Sequence, residues 1–261
     1  MEYEKILEIK NLNKEFENKN GKIILFEDFN LNVKKDELVV LLGPSGCGKS
    51  TLLEMAAGFD NDYSGELLFE GEKVKGTSGD RAVVFQKDAL FPWLNVYDNI
   101  AYGLRIRRMN EGNIKVKVMD VLEKVNLASY SDYFMEELSG GMKQRVALAR
   151  VLVLEPGMLL MDEPFGALDS FTRLKIQELM VEIRKIYYPA IVFITHDIDE
   201  ALLLADRIVM LKSGHKGIHK EIIPEFEGKG EYLMDKSMDD KFNDYKREIL
   251  EHYSNNNKNM I

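Results

Sequence analysis

Gly43-Pro44-Ser45-Gly46-Cys47-Gly48-Lys49-Ser50-Thr51 follows directly on the apolar run Leu38-Val39-Val40-Leu41-Leu42 and leads into the helical pattern Thr51-Leu52-Leu53-Glu54-Met55-Ala56-Ala57. The glycines therefore occupy a strand-to-helix turn. Glycine lets the backbone come close and turn its N–H groups inward, which makes a nest for phosphate oxygens at the positive end of the next helix. All nine residues, Gly43 through Thr51, are candidates to line that phosphate site. Lys49 is placed to reach the β and γ phosphates of a nucleotide, and the Ser50 hydroxyl to complete a Mg2+ shell otherwise made of water and phosphate oxygen. Cys47 admits two readings. A thiol at a helix N-terminus tends towards a lowered pKa, which would suit a redox switch, and a small residue tolerated within the loop is the plainer alternative.

Outward from the loop, composition bounds the rest. The chain has 261 residues, is 45% apolar and carries a net charge of −9. Such a chain can bury a core, and its charge disfavours broad attachment to nucleic acid or anionic lipid. The single cysteine rules out an internal disulfide framework. Apolar runs are strand-sized and the start Met1-Glu2-Tyr3-Glu4 is acidic, so neither a membrane span nor a secretory signal is expected.

Short, partly alternating strands are expected before the loop, from Leu7 to Val33, forming an antiparallel β layer. Strand-like runs follow at Glu66–Phe69 and Ala82–Phe85, and later apolar runs at Met158–Met161, Ala190–Ile194 and Arg207–Leu211 alternate with helical segments, which predicts an α/β core on a mostly parallel sheet. Between Gln86 and Ser139 the pattern turns helical, as in an insertion between core strands. The expected organisation is one domain over residues 1–235 with a helical subdomain at about 87–150, then a C-terminal segment over 236–261. In that segment Phe242, Tyr245, Ile249 and Tyr253 share a helical face that packs back on the domain, and a polar, disordered tail begins at Ser254.

Two further constellations carry chemistry. Met158-Leu159-Leu160-Met161-Asp162-Glu163 is an apolar strand ending in adjacent carboxylates, with Asp162 placed to hold magnesium through water and Glu163 to polarise an attacking water. Leu138-Ser139-Gly140-Gly141-Met142 precedes a helical run. Ser139 can cap that helix, and Gly140 and Gly141 expose N–H groups at its start, giving a second anion site.

Together these motifs resemble the ATP-binding subunit of an ABC transporter, in the family's order and approximate spacing from Phe16 to about Leu211. The resemblance identifies Gly43–Thr51 as Walker A, Gln86 as the Q-loop glutamine, Leu138–Met142 as the signature and Met158–Asp162 with Glu163 as Walker B. Gly166-Ala167-Leu168-Asp169 matches the D-loop, His196 the switch histidine, and Phe16 the aromatic that stacks on adenine. It implies ATP and Mg2+ as cofactors, with Ser50, Gln86 and Asp162 at the metal. Glu163 is implied as general base, and His196, Lys49 and Gln86 as its catalytic companions. It also implies a homodimer formed head to tail, in which Ser139, Gly140 and Gly141 of one subunit reach the γ-phosphate held by Lys49 of the other, and it counts Asp169 of the D-loop among the nucleotide-binding residues.

The segment Asp80 to Val96, the run Glu163 to Asp169 and the Met142 form of the signature are similar to importer ATPases of the nitrate, sulfonate and taurine group. That likeness implies uptake of a small anion or sulfonate through an integral-membrane permease, fed indirectly by a substrate-binding protein, with this chain peripheral on the cytoplasmic face. No nucleic-acid partner is expected. Trp93 reads either as a core anchor of the insertion or as a residue near the permease contact. Two alternatives are an ATPase of an exporter or lipid-handling system and a soluble ABC ATPase outside transport.

Overall fold

The computed structural model describes residues 4–18, 21–86, 89–212, 217–226 and 240–258. It separates into two compact units, one made of Met1–Ser78 with Pro189–Ile261 and the other of Gly79–Tyr188. The second unit is thus wider than the helical insertion read at 87–150, because it also takes in two core strands. The expected boundary at 235/236, the acidic Met1–Tyr3 and the tail residue Asn259 lie outside the described residues.

In the first unit, β1 (Lys5–Asn18) and β2 (Gly21–Lys34) pair antiparallel, and β4 (Ser64–Phe69) and β5 (Glu72–Lys73) extend the sheet in the order β2-β1-β4-β5. Where sequence patterning gave several short strands, two long irregular ones occur. Their register shifts between Ile9 and Leu12, near left-handed Asn11 and Asp28, so the apolar alternation is interrupted without ending the strand.

β3 (Leu38–Leu42) is buried along its whole length and lies between two parallel neighbours, β8 (Ala190–Ile194) and β9 (Arg207–Leu211), with β10 (Ile218–Ile222) antiparallel outside β9. Burial on both faces explains the unbroken apolar runs. Arg207, buried at the start of β9, is held by Glu37 at 2.8 Å and Glu221 at 3.0 Å. Among the described residues the α-helices of this unit are α1 (Lys49–Ala57), α6 (Ile198–Leu204) and α7 (Asp240–Lys258). Phe242 and Ile249 of α7 are buried, as the shared face predicts, and the helix continues through Ser254 to Lys258, where a polar tail was expected.

In the second unit β6 (Arg81–Val84) and β7 (Met158–Asp162) pair parallel, with Val84 opposite Met161. Its helices are α2 (Val96–Ile106), α3 (Glu111–Lys124), α4 (Gly140–Leu152) and α5 (Ser170–Tyr187). Asn95, Asn110, Ser139 and Asp169 cap their N-termini by accepting a backbone N–H three residues on. Among the described residues no helix is long and apolar enough to cross a membrane.

Candidate nucleotide site

The loop Gly43 to Gly48 joins the end of β3 to α1, as its sequence requires. Gly46 and Gly48 have φ of 80° and 103°, a region that only glycine enters without strain. At Gly48 space forbids a side chain as well. A Cβ there would lie 2.7 Å from Phe26 and 2.9 Å from Leu25. Gly48 has no side chain to cap α1, so the N–H groups at that helix start are left facing outward, an arrangement suited to an anion.

Lys49 is only 8% exposed, and its Nζ donates to the carbonyls of Gly43 at 2.8 Å and Pro44 at 3.0 Å, with the Cys47 sulfur at 3.8 Å. Among the described residues, its hydrogen-bond partners are therefore neutral dipoles, and a buried cation in that setting favours an anionic ligand. Ser45 and Ser50 are exposed beside it, with Thr51 half-buried. Cys47 fits the plainer of its two readings. It is buried, and burial pushes its thiol up, outweighing the neighbouring Lys49 charge that would lower it. A helix start lowers a thiol only where the charged form stays solvated, so the environment of Cys47 is that of a packing residue.

His196 follows β8 and is exposed. Its neighbours are fixed on both sides. Thr195 is buried and its Oγ accepts the Asp197 N–H at 3.0 Å, while the Asp197 carboxylate caps α6 by accepting from Asp199 and Glu200 at 2.9 and 3.1 Å. Phe16, on β1 in the same unit, is 43% exposed, which leaves ring surface open to a ligand.

In the second unit, Gln86 and Glu163 each stand two residues beyond the paired ends of β6 and β7 and meet there, with Gln86 Nε2 donating to Glu163 Oε2 at 3.4 Å. Glu163 adopts φ of 43°, a left-handed conformation that costs on the order of 1–3 kcal/mol for a residue with a Cβ. Strain of this kind concentrates where a side chain must be aimed. Asp162 precedes it at the half-buried end of β7. The Ser139 hydroxyl accepts the Met142 N–H at 3.4 Å, leaving Ser139 and Gly140 exposed at the start of α4. Gly141 packs against α5 so closely that a Cβ would strike Thr172 at 2.4 Å. Asp169 caps α5 by accepting the Thr172 N–H at 3.0 Å, a bond that lowers its carboxyl below the usual range. The signature and the D-loop are thus packed side by side in one unit.

Trp93 is not a core anchor. It is 70% exposed and stacks on Phe91, which also touches Tyr102 and lies under the Arg150 guanidinium. Asn99, fully buried, fastens the loop that displays it by bonding both N–H and C=O of Phe91 and the carbonyls of Leu94 and Asn95. Sequence reading missed Asn99, although a polar residue at a core position of an amphipathic helix is a usable signal. Lys87 and Asp88, in the segment likened to the nitrate, sulfonate and taurine importers, lie outside the described residues.

The profile of the ABC transporter family matches residues 26–166, more than half of the chain. This chain belongs to the ABC transporter family. Its ABC relatives include the aliphatic sulfonates import ATP-binding protein SsuB of Bacillus cereus, 40% identical over 94% of each chain. The taurine import ATP-binding protein TauB of Pseudomonas aeruginosa is 40% identical over 91% of this chain and 92% of that protein. Among solved structures, the dimeric bacterial ABC transporter cassette MJ0796 superposes with a TM-score of 0.73 at 30% identity, covering 84% of this chain and 99% of that one. As an ABC cassette the chain is an ATP-binding ATPase, with the α/β fold its sequence predicts.

Proposed function

We propose that this chain is the ATP-hydrolysing subunit of an importer for a small anion or sulfonate. It would work as a head-to-tail homodimer beneath an integral-membrane permease on the cytoplasmic face, served by a substrate-binding protein. The observation that carries the proposal is likeness along almost the whole chain to sulfonate and taurine import subunits, and it is supported by the set of motifs read in the sequence. The cargo follows from that likeness alone, because nothing in an ATPase subunit touches it.

Within the site, Lys49 and the loop N–H groups bind the phosphates, and Phe16 receives the adenine. Ser50, Asp162 and Gln86 offer oxygen donors suited to Mg2+, which takes most of its shell from water and phosphate. When bound, the ion supplies charge neutralisation between the phosphates. Glu163 acts as general base on the attacking water, oriented by Gln86, whose amide already reaches its carboxylate. His196 holds the γ-phosphate. Ser139, Gly140 and Gly141 of the second subunit complete the cradle, with Asp169 beside them. The aromatic face of Phe91, Trp93 and Tyr102 supports the permease contact, since exposed aromatics of this kind anchor interfaces.

Replacing the base tests the reading. Glu163→Gln is expected to bind ATP, to hydrolyse it at least about 10²-fold more slowly, and to accumulate as a dimer on size exclusion with ATP. Normal turnover in that variant would remove Glu163 from its role. Titrating the copurifying binding protein with taurine, an alkanesulfonate and nitrate tests the cargo, and failure to bind any of the three would reject it.

A further inference from the structure

Lys14 stands two residues before Phe16 on β1, so both side chains project from the same side of the strand. It is a rare kind of lysine, 4% exposed and fully engaged. Its Nζ reaches the Asp60 carboxylate at 2.9 Å and the Asp62 carboxylate at 3.2 Å, and donates to the Asp62 carbonyl at 2.5 Å. Burial alone would lower its pKa, but the two carboxylates outweigh burial and raise it, so the ammonium is charged. The same nitrogen lies over the Phe16 ring, 4.8 Å from its centroid. Lys14 thereby covers one face of a ring that is otherwise substantially exposed, and a flat base can stack only on the other face.

The anchors of Lys14 lead back to the phosphate loop by two routes. Asp60 and Asp62 follow the C-terminal end of α1, whose first residue is Lys49. Across the hairpin, Lys14 is paired with Phe26, whose ring packs on the site of Gly48. The ring is thus tied to the helix and the loop that hold the phosphates.

The geometry points to Lys14 as a positioning residue for the nucleobase: it fixes the plane of Phe16 relative to the phosphate loop and strengthens stacking on the ring's open face. This rests on the reading of Phe16 as the adenine platform. A cation held against one face of an aromatic ring supplies attraction and removes the ring's rotational freedom, and both effects reach only a ligand that carries a base.

The experiment titrates the full chain with ATP and, separately, with inorganic triphosphate, which has the phosphates and no base. Lys14→Met is expected to weaken ATP binding about three- to tenfold, the size of a cation–π contact, and to leave triphosphate binding unchanged. Lys14→Arg is expected to recover most of the loss, and Lys14→Met added to Phe16→Ala to cost nothing further. Should Lys14→Met fail to fold, Asp62→Asn serves in its place. The Asp62 side chain is 95% exposed, so this change loosens the ammonium without opening the interior, and a smaller loss confined to ATP is expected. Equal weakening of ATP and triphosphate would make Lys14 a structural tie of α1 and overturn the inference. So would unchanged ATP affinity in Lys14→Met while Phe16→Ala weakens it. If Phe16→Ala itself has no effect on ATP, the platform reading fails and this inference falls with it.

Discussion

At Gly48 two independent requirements fall on one residue, a φ of 103° and the absence of a Cβ against Phe26 and Leu25. Gly48→Ala is therefore expected to lower stability by about 1–3 kcal/mol and to abolish ATP binding, read by thermal melting and nucleotide titration. Retained binding with an unchanged melt would show that the loop relaxes freely. The need for glycine here was legible in the sequence, because a phosphate nest between a strand and a helix leaves few other choices. The left-handed backbone of Glu163 was not, since nothing in Asp-Glu-Pro distinguishes a strained carboxylate from an ordinary surface pair. Lys14 escaped for a different reason. Its partners are 46 and 48 residues away, and no local pattern announces a buried cation.

Among the elements, α7 shows how far periodicity carries. Phe242, edge-on to Phe226 at 5.6 Å between ring centroids, and Ile249 locate its buried face, and polar contacts add to them. Lys246 binds Asp199 of α6 at 2.6 Å, Lys220 of β10 binds Glu248, and the His219 Nε2 lies 3.1 Å from His252 Nδ1. Burial, then the charges of His252, Lys212 and Lys220, hold His219 below its ordinary value of 6.5. The docked imidazole thus resists a proton that the undocked one accepts near pH 6.5. The docking contribution is complete above that pH and declines as pH falls through it. Hydrogen exchange along α7 is expected to quicken from about pH 7.5 to about pH 5.5, after correction for intrinsic rates, and His219→Gln to flatten that change. An identical response in the variant would clear His219. β10 was invisible beforehand because Ile-His-Lys-Glu-Ile is too polar and short to stand out from a turn. Trp93 could not be settled by sequence, since an aromatic after proline suits a core and an interface equally, and only its exposure separates them.

For the molecule as a whole, the phosphate loop and the signature fall in different compact units of the chain, and the proposed function requires a second copy to complete each ATP site. Complementation tests that composition. Lys49→Ala and Ser139→Arg should each be inactive alone, and an equal mixture should regain about a quarter of native turnover, since half of the dimers are mixed and each then has one intact site of two. No recovery on mixing would argue that each chain hydrolyses ATP unaided. The α/β class and the order of the buried core strands were readable, because buried parallel strands leave unbroken apolar runs; the division into units was not, because it depends on contacts between distant segments. The matched overhang of Gln86 and Glu163 beyond β6 and β7 has an inherited consequence. Val84 is paired with Met161, so a single codon gained or lost between Val84 and Gln86, or between Met161 and Glu163, shifts one partner along its strand end and breaks the meeting of Gln86 with Glu163. Along those two short spans the number of residues is therefore constrained in its own right, apart from which residues they are.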